Sequence, residues 1–195
     1  MTDPVEWAGF VLSLAMVYCN IRQIHWGWPL AIASSILYGY VFWNTQLYGQ
    51  AALQMMFIAM AAWGWRQWLR GQTLTAPSTE TNTAQALPIS LLRRHERLRL
   101  LGVTILVWVL CTWVLEEFSE SKVLYWDALI TALALLGQYL LGRKKIETWW
   151  IWLVVNILTI ALMASQDLWL TALLCFVFAV LRVVGLKTWQ KQEAR

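Results

Sequence analysis

Apolar residues are grouped along the chain in seven long blocks that short polar segments separate. Each block approaches the length of helix needed to cross about 30 Å of hydrocarbon. The pattern therefore predicts an all-α integral membrane protein with seven transmembrane helices, the sixth of them the shortest. The blocks run over residues 5–21, 28–43, 47–65, 100–115, 124–141, 149–163 and 168–185.

Composition and charge agree with this class of protein. With 59% hydrophobic and 13% charged residues, the chain has too few polar side chains to cover a globule. If seven spans are correct, 14 of the 15 Lys and Arg residues lie on one side of the membrane, and only Lys122 lies on the other. The positive-inside rule then places the N-terminus outside and the C-terminus in the cytoplasm. Basic residues that flank spans explain the pI of about 9.1, so no nucleic-acid partner is expected.

The two halves of the chain resemble each other at an offset of 121 residues. Residues 6–68 and 127–189 align without a gap, and 13 of the 63 pairs are identical. The repeat predicts one membrane domain over 1–195, in which repeat 1 covers about 5–70 and repeat 2 about 124–190. A cytoplasmic linker at 71–99 and a connector helix at 100–115 would join two parallel repeats in a three-one-three, SWEET-like arrangement. Such repeats are typical of transporters.

The strongest candidate for a binding site lies at the start of the sixth span. Trp149, Trp152 and Asn156 are spaced i, i+3 and i+7, so they share one face of a helix. An amide inside the membrane needs a partner, and a flat ligand with polar edges would satisfy the amide and both indoles. The alternative is that the two tryptophans belong to an interfacial aromatic belt and that Asn156 bonds a neighbouring helix.

Two further amides are weaker candidates. Gln54 lies about two turns inside the third span, and Asn20 lies near the cytoplasmic end of the first. Either could reach a ligand, but helix packing explains Gln54 equally well, and an interhelical or interfacial role is the favoured interpretation for Asn20.

The chain offers little for catalysis, metal binding or ion coupling. Cys19, Cys111 and Cys175 are scattered over three spans, and no zinc-protease or phosphate-loop motif is present. We expect no catalytic residue, no metal and no cofactor, although a membrane-embedded enzyme stays open as an alternative. No carboxylate or lysine lies at the centre of a span, and Arg182 is expected at the cytoplasmic boundary. These features favour a uniporter.

At these residues the sequence resembles the PnuC-type vitamin transporters. The specific motif is Glu147-x-Trp149-x-x-Trp152-x-x-x-Asn156, and the remaining matches are spread over the other spans. Those matches are Trp28-Pro29, Leu47-Tyr48, Leu53-Gln54, Gly64-Trp65, Trp68 and Asp127. The resemblance implies that Trp149, Trp152, Asn156 and Gln54 line the substrate pocket. It also implies a homotrimer in the bacterial inner membrane.

The resemblance implies nicotinamide riboside as the substrate, with thiamine or another vitamin as the alternative on the same fold. We expect the pyridinium ring to stack between Trp149 and Trp152, where cation–π attraction contributes about 2 kcal/mol. Uptake would be facilitated diffusion followed by metabolic trapping through phosphorylation. The chain departs from many relatives in being short at both ends and in having Gly49-Gln50 where a small residue and an acid are common.

Overall fold

The computed structural model describes residues 4–44, 48–73, 88–118, 124–165 and 169–194, and these residues form seven α-helices. The prediction of an all-α chain with seven helices is confirmed, because the described residues of each apolar block fall within one helix. Three helices extend beyond their blocks with polar residues: α3 at its C-terminal end, α4 at its N-terminal end and α7 at its C-terminal end. The helices are α1 Pro4–Ile21, α2 Gly27–Asn44, α3 Tyr48–Thr73, α4 Arg94–Phe118, α5 Leu124–Gly142, α6 Glu147–Ser165 and α7 Trp169–Glu193.

Six of the helices form a closed ring. Along the ring, α1 packs on α2, α2 on α3, α3 on α5, α5 on α6, α6 on α7, and α7 again on α1. Helix α4 packs on α5 from outside the ring. The ring therefore has two walls of three consecutive helices, and α4 connects them in sequence.

Two helices of the described chain are long and apolar enough to cross a membrane by length and composition. They are the segments Arg94–Val114 and Leu124–Gly142, and shorter apolar segments cover Val11–Ile21 and Glu147–Ala161. Only 6% of the Arg94–Val114 segment is buried inside the protein, against 50% of the Leu124–Gly142 segment. Helix α4 therefore presents Leu, Ile, Val and Trp side chains outward along most of its length.

One end of the ring is closed by a cluster of four tryptophans, Trp28, Trp68, Trp149 and Trp189, each at most 2% exposed. Trp28 meets Trp68 edge to face with ring centroids 5.5 Å apart, and Trp149 meets Trp189 in the same way at 5.3 Å. The two pairs also touch each other, with 6.4 Å between the centroids of Trp68 and Trp189. Because the indoles interlock across both walls, this tryptophan cluster is the core of the bundle.

Each pair of the tryptophan cluster is fixed by a glycine and by a hydrogen bond to the opposite wall. The rings of Trp28 and Trp149 occupy the space where a Cβ on Gly64 or Gly185 would lie. Trp68 donates its indole N–H to the carbonyl of Leu141, and Trp189 donates to that of Ile21, each at 3.2 Å.

The turns that follow α1 and α5 have the same backbone structure. After α1, the N–H of Gln23 donates to the Asn20 carbonyl and that of Ile24 to the Cys19 carbonyl. The turn after α5 repeats both bonds 121 residues later, from Lys144 to Leu141 and from Lys145 to Leu140. This pattern is the Schellman cap, which places one residue in the left-handed region. That residue is Gln23 (φ 57°) in the first turn and Lys144 (φ 49°) in the second.

The end of the predicted linker is attached to the turn between α5 and α6. Ser90 donates its N–H to Lys144 and accepts from the N–H of Ile146, and the N–H of Leu92 donates to Glu147 Oε1 at 2.9 Å. Glu147 also pairs with Arg97 at 3.1 Å. We call residues 88–97 together with 144–147 the linker clasp. Residues 74–87 of the predicted linker lie outside the described part of the chain.

Candidate functional site

The predicted face of α6 points into the ring. Trp149 is fully buried, Trp152 is half-buried, and Asn156 is 9% exposed. Helix α6 lies close to α5 at this level because Thr148 donates its hydroxyl to the carbonyl of Gly137 at 2.8 Å. The three residues that the i, i+3, i+7 spacing puts on one face differ in what they contact.

Trp149 is a member of the tryptophan cluster. Its ring packs on Gly185 and edge-on with Trp189, and the side chain is 1% exposed. A planar ligand could reach the Trp149 ring only if α7 moved away from α6. In the described structure Trp149 therefore stabilises helix packing, and Trp152 is the more accessible indole of the motif.

Trp152 lies between two neighbouring helices of its wall. A Cβ on Gly137 of α5 would lie 3.0 Å from the Trp152 Nε1 atom, so the missing side chain of Gly137 makes room for the indole. On the α7 side, the guanidinium carbon of Arg182 lies 4.7 Å from the Trp152 ring centroid. This distance is that of a cation–π contact.

Arg182, which is expected from the sequence at the cytoplasmic boundary, has its side chain buried inside the bundle. The residue is 6% exposed, its guanidinium packs on Trp152, and α7 continues for eleven residues beyond it, to Glu193. One signal in the sequence distinguishes it. At the offset of 121, Arg182 aligns with Ala61, so the charge occurs in one half of the chain alone.

Several polar atoms around Trp152 have no hydrogen-bond partner within the described residues. They are the indole Nε1 of Trp152, the amide Nδ2 of Asn156 and the guanidinium Nε of Arg182, together with Nε1 of the neighbouring Trp149. All four are donors. Buried donors without acceptors are costly, so this region is chemically suited to a molecule that supplies acceptor atoms.

The other two predicted amides lie on different helices. Gln54 is half-buried on α3, where its Cβ side packs towards Gly39 of α2. Asn20 is 2% exposed, and its Oδ1 faces Gly27 at the turn between α1 and α2. The structure therefore places Arg182 against Trp152, with Asn156 one turn further along α6, while Gln54 and Asn20 contact α2.

Two surface clefts border α4 and α5, and neither is lined by a predicted site residue. One, of about 170 Å³, is lined by Arg99, Arg143 and Lys145 among others, and the second, of about 330 Å³, by Trp108 and Tyr125 among others. The described residues contain no group of three His, Cys, Asp or Glu side chains that could hold a metal ion.

Comparison with known proteins gives a match along almost the whole chain. The family model described as "Nicotinamide mononucleotide transporter" matches residues 3–191. The nicotinamide riboside transporter PnuC of Escherichia coli (strain K12) is 24% identical over 213 residues, which cover 95% of this chain and 85% of that protein. The riboflavin/roseoflavin transporter RibM of Streptomyces davaonensis is 22% identical over 191 residues, which cover 97% and 86%.

A solved structure has the same fold. The crystal structure titled as that of the vitamin B3 transporter PnuC superposes with a TM-score of 0.74 at 20% sequence identity. The superposition covers 99% of this chain and 84% of that one. The arrangement of helices described above is therefore that of a solved vitamin transporter.

Proposed function

Because the chain belongs to the nicotinamide mononucleotide transporter family, which includes the PnuC-type vitamin transporters, we propose that it carries a vitamin with a flat heteroaromatic ring across the membrane. Its family and its relatives are transporters, so the chain is a transporter and not an enzyme. The main support for the proposal comes from the inward face of α6. There an indole and an amide inside the ring of helices have unpaired donors that a ligand would satisfy.

The proposed architecture is two parallel three-helix repeats, α1–α3 and α5–α7, with α4 as the connector. Equivalent residues in the two walls support it: the duplicated Schellman turns, the duplicated glycine–tryptophan contacts and the two indole pairs. Given seven spans, the distribution of the basic residues supports an N-terminus outside, and the family resemblance supports the inner membrane of a bacterium. The outward Leu, Ile, Val and Trp side chains of α4 would be costly in water and suit lipid or a neighbouring protomer of a homotrimer.

The substrate candidates come from the relatives and from the site. Nicotinamide riboside is favoured by the name of the E. coli relative, riboflavin by that of the Streptomyces relative, and thiamine stays an alternative. The ligand ring would lie against Trp152 once the helices separate, and Asn156 would bond its polar edge. Stacking between Trp149 and Trp152, as first expected, would also require Trp149 to leave Gly185 and Trp189.

Transport would be facilitated diffusion, with net uptake driven by phosphorylation of the vitamin inside the cell. Ion-coupled carriers use intramembrane carboxylates or similar groups for the coupling ion. Arg182 is a charged residue in contact with Trp152 of the candidate site, and a guanidinium stays protonated at physiological pH, which makes it unsuited to a proton relay.

Counterflow in proteoliposomes tests the proposal. Vesicles loaded with unlabelled nicotinamide riboside, riboflavin or thiamine should take up the same labelled vitamin transiently and with saturation for at least one of the three. A Trp152→Ala variant should lower this uptake because the stacking surface is lost. Accumulation above the outside concentration under an imposed proton or sodium gradient would contradict uniport, and the absence of saturable exchange with all three would contradict the proposed function.

A further inference from the structure

The guanidinium of Arg182 covers the ring face that a stacked substrate would use. Its carbon atom is 4.7 Å from the centroid of Trp152, and the whole residue is 6% exposed. Its Nε has no hydrogen-bond partner among the described residues. A buried positive charge with an unused donor therefore faces the one accessible indole of the site.

The charge changes which substrates the site can hold. A cation that enters beside a buried guanidinium is repelled, and the repulsion is much stronger inside a bundle of helices than in water. A carbonyl or phosphate oxygen is attracted and can accept from the guanidinium. The unpaired atoms Nδ2 of Asn156 and Nε1 of Trp152 are also donors, so they too favour a substrate with acceptor oxygens.

A purely structural role explains this arrangement less well. A buried arginine that serves packing is usually paired with a carboxylate or with backbone carbonyls, which satisfy its donors. The cation–π contact with Trp152 uses the guanidinium face and leaves the Nε–H in the guanidinium plane free. The aligned position of the other repeat is Ala61, which is also buried, so the fold accommodates a small apolar residue at that position.

We propose that Arg182 contacts the substrate and selects its charge, so that the transported molecule brings acceptor oxygens and no positive charge to this site. The inference rests on the proposed vitamin transport and narrows it. It favours an uncharged ring edged with carbonyl groups over a pyridinium or thiazolium cation.

The test uses ligands that differ in charge and variants that differ at one arginine. Binding to the purified full-length protein is measured by tryptophan fluorescence for riboflavin, for thiamine, for nicotinamide riboside and for its reduced, uncharged dihydro form. The last two form a matched pair that differs mainly in the ring charge. The variants are Arg182→Met, Arg182→Lys and, as a control, Arg143→Met, which removes an exposed arginine that also lies over an aromatic ring, that of Tyr139.

We expect the wild type to bind the uncharged riboside at least tenfold more tightly than the cationic one, and to bind riboflavin. Arg182→Met should weaken riboflavin at least tenfold and bring the ratio of the two ribosides close to one. Arg182→Lys should keep the ratio, because it keeps the charge, and Arg143→Met should change neither value. The Arg182→Met variant keeps an apolar side chain of similar length. If it does not fold, the Arg182→Lys variant still shows whether the riboside ratio follows the positive charge.

Two results would overturn the inference while leaving vitamin transport standing. One is a wild type that binds the cationic riboside as tightly as the uncharged form or more tightly. The other is a riboside ratio that is the same in the wild type and the folded Arg182→Met variant. If none of riboflavin, the two ribosides and thiamine binds, the proposed function fails and the inference fails with it.

Discussion

Gln23 and Lys144 lie 121 residues apart in the sequence and touch each other in the structure. The ammonium group of Lys144 donates to Oε1 of Gln23 at 3.1 Å. Each residue has a positive φ and occupies the equivalent position in its own Schellman cap, Gln23 after α1 and Lys144 after α5. Lys144 also lies 4.8 Å from the ring centroid of Trp68, at the edge of the tryptophan cluster. The two caps therefore meet where the two walls of the ring meet.

Exchanging the two residues tests this contact. Gln23→Lys places a second ammonium group against Lys144, and two unit charges about 4 Å apart repel by roughly 1–4 kcal/mol at intermediate dielectric. The midpoint of thermal unfolding in detergent should therefore fall by several degrees. The double variant Gln23→Lys/Lys144→Gln should recover most of the loss, because an amide again faces an ammonium group across the same contact. Equal midpoints for the single and double variants would contradict this pairing.

The same lysine predicts a dependence of stability on pH. Burial lowers the pKa of Lys144 from its ordinary value of 10.5, so the folded protein releases this proton at a lower pH than the unfolded chain does. In the interval between the two pKa values the unfolded chain binds more protons, and stability rises with pH. Relative to Lys144→Arg, which does not titrate there, the wild type should become more stable as the pH rises towards 10.5. A difference between the two that stays constant with pH would contradict the lowered pKa.

Gly185 is expected to tolerate no side chain. A Cβ there would overlap the ring of Trp149, which is held by Trp189 and is unable to move aside. Overpacking of this kind costs about 1–3 kcal/mol, so Gly185→Ala should lower the unfolding midpoint clearly. Gly64→Ala, which meets Trp28 in the other wall, should have a similar effect.

Gly102 is the matched control for these two glycines. It lies in α4 with nothing within 4 Å of its added Cβ, so Gly102→Ala should be neutral or should stabilise the helix by up to about 1 kcal/mol. If Gly185→Ala behaves like Gly102→Ala, the contact between Gly185 and Trp149 is not a close one.

The sequence was most informative where the two halves agree. Trp28 and Trp149, Gly64 and Gly185, and Trp68 and Trp189 are identical pairs at the offset of 121, and all six residues meet in or against the tryptophan cluster. Identity between the halves therefore indicates shared packing. Trp149 follows this rule: it is identical to Trp28 in the other half and packs in the core, although its spacing on α6 suggested a ligand contact.

The residues of the candidate site are those in which the halves differ. Trp152, Asn156 and Arg182 align with Ala31, Ser35 and Ala61. Helical periodicity predicted that Trp152 and Asn156 share one face, because both lie on one helix. It could not place Arg182 beside them, since this contact joins α6 to α7 and depends on how the two helices pack against each other.

Glu147 belongs to the motif of α6, and its role in the structure is in the linker clasp. Its carboxylate accepts from the N–H of Leu92 and pairs with Arg97. Glu147→Ala leaves that N–H without its acceptor, which costs about 1–3 kcal/mol, so local opening and trypsin cleavage at Arg93 and Arg97 should accelerate at least fivefold. Glu147→Gln keeps an acceptor and loses a partly exposed ion pair, so its effect should be much smaller.

Glu116→Ala is the control for the linker clasp. Glu116 accepts from the Tyr125 hydroxyl near the other end of α4, and its removal should leave cleavage at Arg93 and Arg97 unchanged. Equal cleavage rates in the wild type and Glu147→Ala would show that the carboxylate does not hold the linker.

Asn156 separates ligand binding from helix packing. Its Nδ2 has no hydrogen-bond partner among the described residues, so Asn156→Leu should leave the unfolding midpoint nearly unchanged or raise it. Vitamin binding should weaken, because the substrate loses one or two buried hydrogen bonds at about 1–3 kcal/mol, a five- to 150-fold rise in Kd. The comparison is Thr159→Val, one turn further along α6, which removes a hydroxyl that bonds the carbonyl of Val155 in its own helix and should leave Kd unchanged. If Asn156→Leu instead unfolds the protein, or if its folded fraction binds with the wild-type Kd, the amide serves packing and does not contact the vitamin.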